Sequence, residues 1–208
     1  SACPIHVDAF LQCLDSMYCS EDVRVEARQV LRLLSPSVLA SYVDVILHLL
    51  HKQFSNDVKL EALKLLSTLA PEVLVSRLDA ILRCLGKGSS NGLKVGALKL
   101  LAMLEPEILA HHVDVIFWCL DPNSRCSIEV KLETLKVLGM PASKVLEPRV
   151  HLIFQCLNSH PINDSLKCEV LRLLGTLAPR ALAPHVDVIL NCLDTSSSKD
   201  VKLEALKV

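Results

Sequence analysis

The chain has 208 residues, of which 51% are hydrophobic and only 3% aromatic, and its formal net charge is −1. No apolar run approaches the roughly 20 residues that a membrane-spanning helix needs, so membrane insertion is not expected. The near-neutral charge makes nucleic acid an unlikely default partner.

Two short motifs recur along the whole chain. The first reads HVDAFLQCLD at 6–15, HVDVIFWCLD at 112–121 and HVDVILNCLD at 185–194, with weaker copies between them. The second position of this motif holds Val7, Val43, Leu78, Val113, Val150 and Val186. The intervals between these residues are 36, 35, 35, 37 and 36 positions. The second motif, VKLEALK in its fullest form, begins at 23, 58, 93, 130, 166 and 201. Two motifs that keep one period indicate a repeat protein.

Both motifs have the spacing of an amphipathic helix. In the first motif of the third repeat the apolar stripe comprises Leu74, Leu78, Ile81, Leu82 and Leu85. In the second motif of the second repeat it comprises Val58, Ala62, Leu65, Leu66 and Leu69. Polar turns such as SSNG at 89–92 separate the motifs, so each repeat is predicted to hold a helix A followed by a helix B.

The predicted fold is all-α, an α-solenoid of about six two-helix repeats with a period of 35–37 residues. It comprises twelve helices in a single domain over 1–208, and no strand. The predicted repeats span 1–35, 36–70, 71–105, 106–142, 143–178 and 179–208. Gly139 and Gly175, late in helix B, fit either a close helix contact or a helix C-cap.

The unit resembles a HEAT repeat. Helix A begins near a proline in four repeats (Pro36, Pro71, Pro106 and Pro179), an acidic residue often follows helix A, and V-K or V-R often opens helix B. Armadillo repeats would add a third short helix, for which a unit of this length leaves no room. The resemblance covers essentially the whole chain and implies a non-catalytic scaffold for protein–protein interaction, as a subunit or segment of a larger assembly.

Five helices A carry cysteine at one position, where the second repeat has Leu49. These ladder cysteines are Cys13, Cys84, Cys119, Cys156 and Cys192. A position that accepts Cys or Leu is a small apolar site, so the ladder is predicted to be reduced and mostly buried. Of the remaining cysteines, Cys126 is predicted to be the most exposed and reactive. Nine cysteines, an odd number, also favour an intracellular, cytoplasmic location.

A row of basic residues marks helix B as the candidate partner-binding face. The candidate residues are Lys64, Lys99, Lys136 and Arg172, with Trp118 on helix A. Most of the four basic residues have a Glu three positions earlier, an order that favours self-paired surface charges over a phosphate-binding groove. Trp118 is predicted to lie on the solvent side of helix A, one turn after Asp114. The A–B loops of repeats four and five are expected to add contacts.

The sequence offers few candidates for other sites. No catalytic residues, cofactor or metal site are predicted; His48 and His51 lie at i, i+3 spacing but lack an evident third ligand. The residue before the second position of the first motif is interpreted as a packing or flanking position: His6, Tyr42, Arg77, His112, Arg149 and His185.

Two alternatives to a natural scaffold remain open. One is the repeat module of an enzyme on a HEAT-like fold, of the lyase or DNA glycosylase type. The other is a consensus-like or designed repeat protein, because VKLEALK is identical at 58–64 and 201–207. The expected partners are other proteins or further repeats of the same chain. The short last helix B, which ends at Val208, predicts a segment of a longer solenoid.

Overall fold

A computed structural model describes residues 4–15, 19–51, 53–141, 143–158, 163–194 and 197–208. Within these ranges all regular secondary structure is helical and no strand occurs. The chain forms two compact units, Ser1–Leu100 and Leu101–Val208, which are described separately. None of the helices in the described ranges is long and apolar enough to cross a membrane.

The first unit holds the first three repeats. Its helices are α1 (Pro4–Asp15), α2 (Glu21–Arg32), α3 (Pro36–Ser41), α4 (Val43–His48), α5 (Asn56–Leu66), α6 (Pro71–Val75), α7 (Leu78–Arg83) and α8 (Asn91–Leu101), whose last residue falls beyond the unit boundary. Helix α1 packs on α2, α4 packs on α5, and α2 contacts α5.

The second unit holds the last three repeats. Its helices are α9 (Pro106–Ala110), α10 (Val113–Phe117), α11 (Ile128–Leu138), α12 (Ser143–Leu146), α13 (Val150–Asn158), α14 (Asp164–Leu174), α15 (Pro179–Leu182), α16 (Val186–Asn191) and α17 (Lys199–Ala205). Short 3-10 turns cover 118–120, 122–124, 147–149 and 183–185. Helix α11 packs on α14, and α14 packs on α17.

The prediction of one continuous helix A is wrong in repeats two to six. Helix A is divided just before the second position of the first motif, where Tyr42, Arg77 and His112 have φ between −129° and −111° and ψ between 11° and 18°. In repeats five and six a 3-10 turn containing Pro148 or Pro184 lies at the same place. Three helical segments therefore do fit in one repeat, so lack of room does not distinguish a HEAT repeat from an armadillo repeat here.

Helix B begins in most repeats with the same serine cap. The Oγ atoms of Ser20, Ser55, Ser127 and Ser198 accept a hydrogen bond from the backbone N–H three residues later, at Val23, Val58, Val130 and Val201. Ser90 does the same for Leu93, at 3.3 Å. A side-chain cap satisfies one of the backbone donors that a helix leaves unpaired, at about 1 kcal/mol. The cap fixes where each helix B starts.

The ladder cysteines are free thiols, as predicted, and four of the five are buried: Cys84, Cys119, Cys156 and Cys192. Cys13 is half-buried. Burial raises the pKa of both Cys84 and Cys156 to about 11, so these thiols stay protonated at neutral pH. Their role is apolar packing inside the repeats.

The glycines divide into tight and ordinary sites. Gly139 and Gly175 are the C-cap residues of α11 and α14, and a Cβ at either would approach neighbouring atoms no closer than 3.4 Å. The C-cap alternative therefore holds for both. The close helix contact is at Gly96 instead, where an added Cβ would lie 2.9 Å from Leu63 Cδ1.

Candidate protein-binding surfaces

The helix B face of the second unit is a charged strip on α11, α14 and α17. It encloses a groove of about 460 Å³ lined by Leu132, Lys136, Asp164, Ser165, Cys168, Glu169, Arg172, Asp200, Leu203, Glu204 and Lys207. Two of the five residues predicted for partner binding, Lys136 and Arg172, lie in this groove. Its lining holds four acidic and three basic side chains, which gives a polar surface of both signs.

Ion pairs join the charges of this face both within a helix and between helices. Lys136 Nζ lies 2.8 Å from Glu133 Oε1, and Lys207 Nζ lies 3.1 Å from Glu204 Oε1. Arg172 bonds Glu169 of its own helix at 3.1 Å and Glu204 of the next helix B at 3.3 Å. Arg172 therefore ties helix B of repeat five to that of repeat six.

Charge pairing raises the pKa of the basic groups Lys136 and Arg172 and lowers the pKa of Glu204, so the ionised form of each group is stabilised. Hydrogen bonding to Glu133 raises the pKa of Lys136, and the charge of Glu204 raises that of Arg172. The Lys207 ammonium, followed by Arg172, holds the pKa of Glu204 below its usual range. These are the shifts of surface salt bridges, and they confirm the predicted pairing of Glu with a base three residues later.

The first unit has a different charge pattern on helix B. Glu61 is buried, at 2% exposure, and accepts two hydrogen bonds of 2.6 Å from Arg32 of the preceding helix B. Lys64 Nζ lies 3.7 Å from the same carboxylate. Lys99 is exposed and has no acidic partner within 4.0 Å among the described residues, because Gly96 occupies the position where other repeats have Glu.

Between the A helices, arginine of one repeat clamps aspartate of the preceding repeat. Arg77 donates to both carboxylate oxygens of Asp44, at 2.5 and 3.0 Å, and Arg149 donates to both oxygens of Asp114. In each Asp–Arg clamp, hydrogen bonding from arginine lowers the pKa of the aspartate.

The sequence pattern does not predict the clamp, because it places Arg77 and Arg149 at a packing or flanking position. A signal was nevertheless present. Arginine takes this position only in repeats three and five, and in both cases the preceding repeat has Asp in its first motif. In repeat six His185 stacks on Phe154 instead, with ring centroids 4.4 Å apart.

A groove lies beside each clamp, at the same register of the repeat. The first clamp groove has a volume of about 890 Å³ and is lined by Asp44, Leu47, His48, Leu50, His51, Lys59, Ala80, Arg83, Cys84, Lys87, Gly88, Ser89 and Leu93. The second clamp groove has a volume of about 210 Å³ and is lined by Asp114, Phe117, Trp118, Leu120, Asp121, Leu152 and Gln155.

Trp118 is half-buried in the wall of the second clamp groove, so its prediction as a solvent-side residue is only partly right. It shares the groove with Asp114, as the DNA glycosylase alternative would require. The carboxylate of Asp114 is, however, bonded by Arg149, and its pKa is lowered. A carboxylate in this state is a poor proton acceptor at neutral pH.

No group of three or more metal-ligating side chains occurs among the described residues. The rings of His48 and His51 stack with centroids 6.1 Å apart, and His48 meets Phe54 edge-on at 5.5 Å. The His48–His51 pair therefore packs as rings in the wall of the first clamp groove.

No protein-family model matches the chain, and no curated protein sequence matches it.

Proposed function

We propose that the protein is a non-catalytic, HEAT-like scaffold that binds other proteins on the helix B face of its second unit. In this proposal the repeats stack as a solenoid inside a larger cytoplasmic assembly. The observation that supports it most directly is the charged groove built by α11, α14 and α17 around Arg172. Three successive helices B contribute one surface, as an extended interaction site requires.

The energetics of the face suit protein recognition. Rim charges arranged in both signs guide association and specify orientation more than they add raw affinity. Arg172 is more than half exposed, at 58% of its side chain, and can exchange one of its two carboxylate partners for one on a bound protein. Arginine is also enriched at the energetic centres of interfaces, because its planar fork makes several hydrogen bonds at once.

The enzyme alternative has weaker support. A general acid needs a carboxyl group whose pKa is raised towards neutrality. Asp44, Asp114 and Glu204, whose pKa values are shifted, are all shifted downward by basic partners. In the helix B groove, Glu204 thus has the electrostatics of a salt bridge rather than of a catalytic acid.

The test is crosslinking mass spectrometry on the full chain in cell extract. Wild type is compared with Lys136→Glu/Arg172→Glu on the helix B face. Crosslinks to partner proteins are expected on α11, α14 and α17, and the double variant is expected to lose most of them.

The matched control is Lys144→Glu/Arg180→Glu, which makes the same change in net charge at exposed residues outside this groove and outside the A–B loops. It is expected to keep the crosslinks. Equal crosslinking by the two double variants would contradict the assignment of the helix B face.

A further inference from the structure

The two clamp grooves occupy one structural position but have opposite chemistry. Counting from the second position of the first motif, Asp44 corresponds to Asp114, and Arg77 corresponds to Arg149. Five equivalent wall positions differ, and three of these differences change polarity or charge: His48 against Trp118, His51 against Asp121, and Arg83 against Gln155. The first clamp groove therefore has a basic wall, whereas the wall of the equivalent second clamp groove is neutral to acidic.

The two clamp grooves also differ in volume, because larger side chains fill the second one. The first clamp groove has about 890 Å³ and the second about 210 Å³. Leu47 and Ala80 of the first stand where Phe117 and Leu152 fill the second. Ligand sites in proteins commonly have volumes of about 300–1,000 Å³. The first clamp groove lies within this range and the second lies below it.

The side chains that line the first clamp groove leave an excess of positive charge. Its lining has three basic side chains, Lys59, Arg83 and Lys87, and one carboxylate, that of Asp44, which accepts hydrogen bonds from Arg77 at both oxygens. No acidic group of the described residues lies within 4.0 Å of the Arg83 guanidinium. Local potentials of one sign in a cleft concentrate ligands of the other sign.

The floor of the same groove is apolar. Leu47 and Leu50 are half-buried, and Leu93 and Cys84 are buried. Burial raises the pKa of the Cys84 thiol to about 11, with Lys59 and Arg83 opposing the rise, so the thiol is neutral at physiological pH. The basic rim therefore surrounds a neutral floor of aliphatic and thiol groups.

We propose that the first clamp groove binds an acidic peptide segment, whose aliphatic side chains lie on the Leu47–Leu93 floor while its carboxylates face Arg83, Lys59 and Lys87. The site is separate from the helix B face and adds a defined partner chemistry to the scaffold. A peptide fits better than nucleic acid, because single-stranded nucleic acids bind on aromatic platforms. The ring residues of this groove are two histidines stacked on each other.

The experiment measures binding of fluorescein-labelled Glu-Glu-Leu-Asp-Leu-Glu-Glu to the full chain by fluorescence anisotropy. The comparison probes are the same peptide with Gln and Asn in place of Glu and Asp, and labelled oligothymidylate. The acidic peptide is expected to bind at least about tenfold more tightly than its neutral counterpart, and to weaken as salt rises.

The test variant is His51→Asp/Arg83→Gln, which installs the residues of the second clamp groove at both positions. It is expected to lose at least about fivefold in affinity for the acidic peptide. The control, Lys144→Gln/Arg125→Gln, removes two exposed positive charges elsewhere and is expected to bind as wild type. Because both test positions are exposed, circular dichroism melts are expected to match wild type.

Three results would each overturn the proposal. The first is equal binding of the acidic and neutral peptides. The second is equal loss of affinity in the groove variant and the control, which would indicate attraction by overall charge alone. The third is tighter binding of oligothymidylate that the groove variant abolishes, which would assign the groove to nucleic acid. Crosslinks to the helix B face are expected to be unchanged in this variant, so failure of the peptide-binding proposal leaves the proposed scaffold function standing.

Discussion

At the scale of single residues, Glu61 is the most consequential charge in the first unit. Its side chain is only 3% exposed, yet it carries a carboxylate that must be satisfied. Arg32 supplies two hydrogen bonds, and the more distant Lys64 adds charge. A buried carboxylate without a partner destabilises the fold, whereas replacing both members of the pair by apolar groups can leave the free energy of unfolding nearly unchanged. Arg32 is therefore needed because Glu61 is present.

Replacing Arg32 by Met is expected to reduce the free energy of unfolding by about 1–2 kcal/mol, a value discounted because the Arg32 side chain is half exposed. The double variant Arg32→Met/Glu61→Met is expected to recover most of that loss. Urea denaturation of the wild type and of both variants measures the difference. Equal stability of the single and double variants would show that the bond to Glu61 is not what Arg32 contributes.

At the scale of elements, two glycines of α8 that lie one turn apart face leucines of α5, and only the second makes a close contact. An added Cβ at Gly92 would lie 3.8 Å from Leu60 Cδ1, which is an ordinary contact, whereas one at Gly96 would lie 2.9 Å from Leu63 Cδ1. Leu63 is buried at 3% exposure, so its methyl group has little space to move. The same repeat lacks the Glu that accompanies Lys64, Lys136 and Arg172, because Gly96 stands at that position.

The two glycines are expected to respond differently to alanine. Gly92→Ala is expected to stabilise the protein by about 0.5 kcal/mol through helix propensity. Gly96→Ala gains the same propensity but loses about 1 kcal/mol or more to overpacking against Leu63. It is therefore expected to melt at or below the wild-type temperature, while Gly92→Ala melts above it. Thermal melts followed by circular dichroism measure the melting temperatures of the two variants. An equal rise in melting temperature for Gly96→Ala and Gly92→Ala would contradict the close contact.

At the scale of the whole molecule, ion pairs between repeats recur on both sides of the helical hairpins. Arg77 and Arg149 clamp aspartates between A helices, and Arg32 and Arg172 join successive B helices. Each pair joins residues 29–35 positions apart, so every one of them reports the stacking of neighbouring repeats within a unit. The protein as a whole should consequently lose stability in acid.

The sign of the pH effect follows from Asp114, whose pKa is lowered by hydrogen bonding from Arg149. A group with a depressed folded pKa stabilises the fold above its unfolded pKa of about 3.9, and this contribution is lost as the pH falls through the folded pKa. Asp114→Asn is expected to be less stable than wild type by about 0.5 kcal/mol at pH 6. The difference is expected to shrink below about pH 4 and to vanish at lower pH.

Thermal melts of wild type and Asp114→Asn at several pH values between about 6 and 2.5 measure this difference. The matched control is Asp187→Asn, at the equivalent position of the last repeat, where no basic partner lies within 4.0 Å among the described residues. It is expected to have no effect of this kind. A difference for Asp114→Asn that persisted unchanged at low pH would contradict the clamp as its source.

The sequence by itself determined the helical class, the repeat period, the burial of the ladder cysteines and the pairing of Glu133 with Lys136. These features are local: a helical period places residues three or four apart on one face, whatever the helix packs against. Only the tertiary structure decided the division of helix A, the Asp–Arg clamps, the bond from Arg32 to Glu61 and the basic wall beside Arg83. The last three depend on how one repeat lies on the next. A contact between residues about 30 positions apart is set by the stacking of helices rather than by the spacing within one helix.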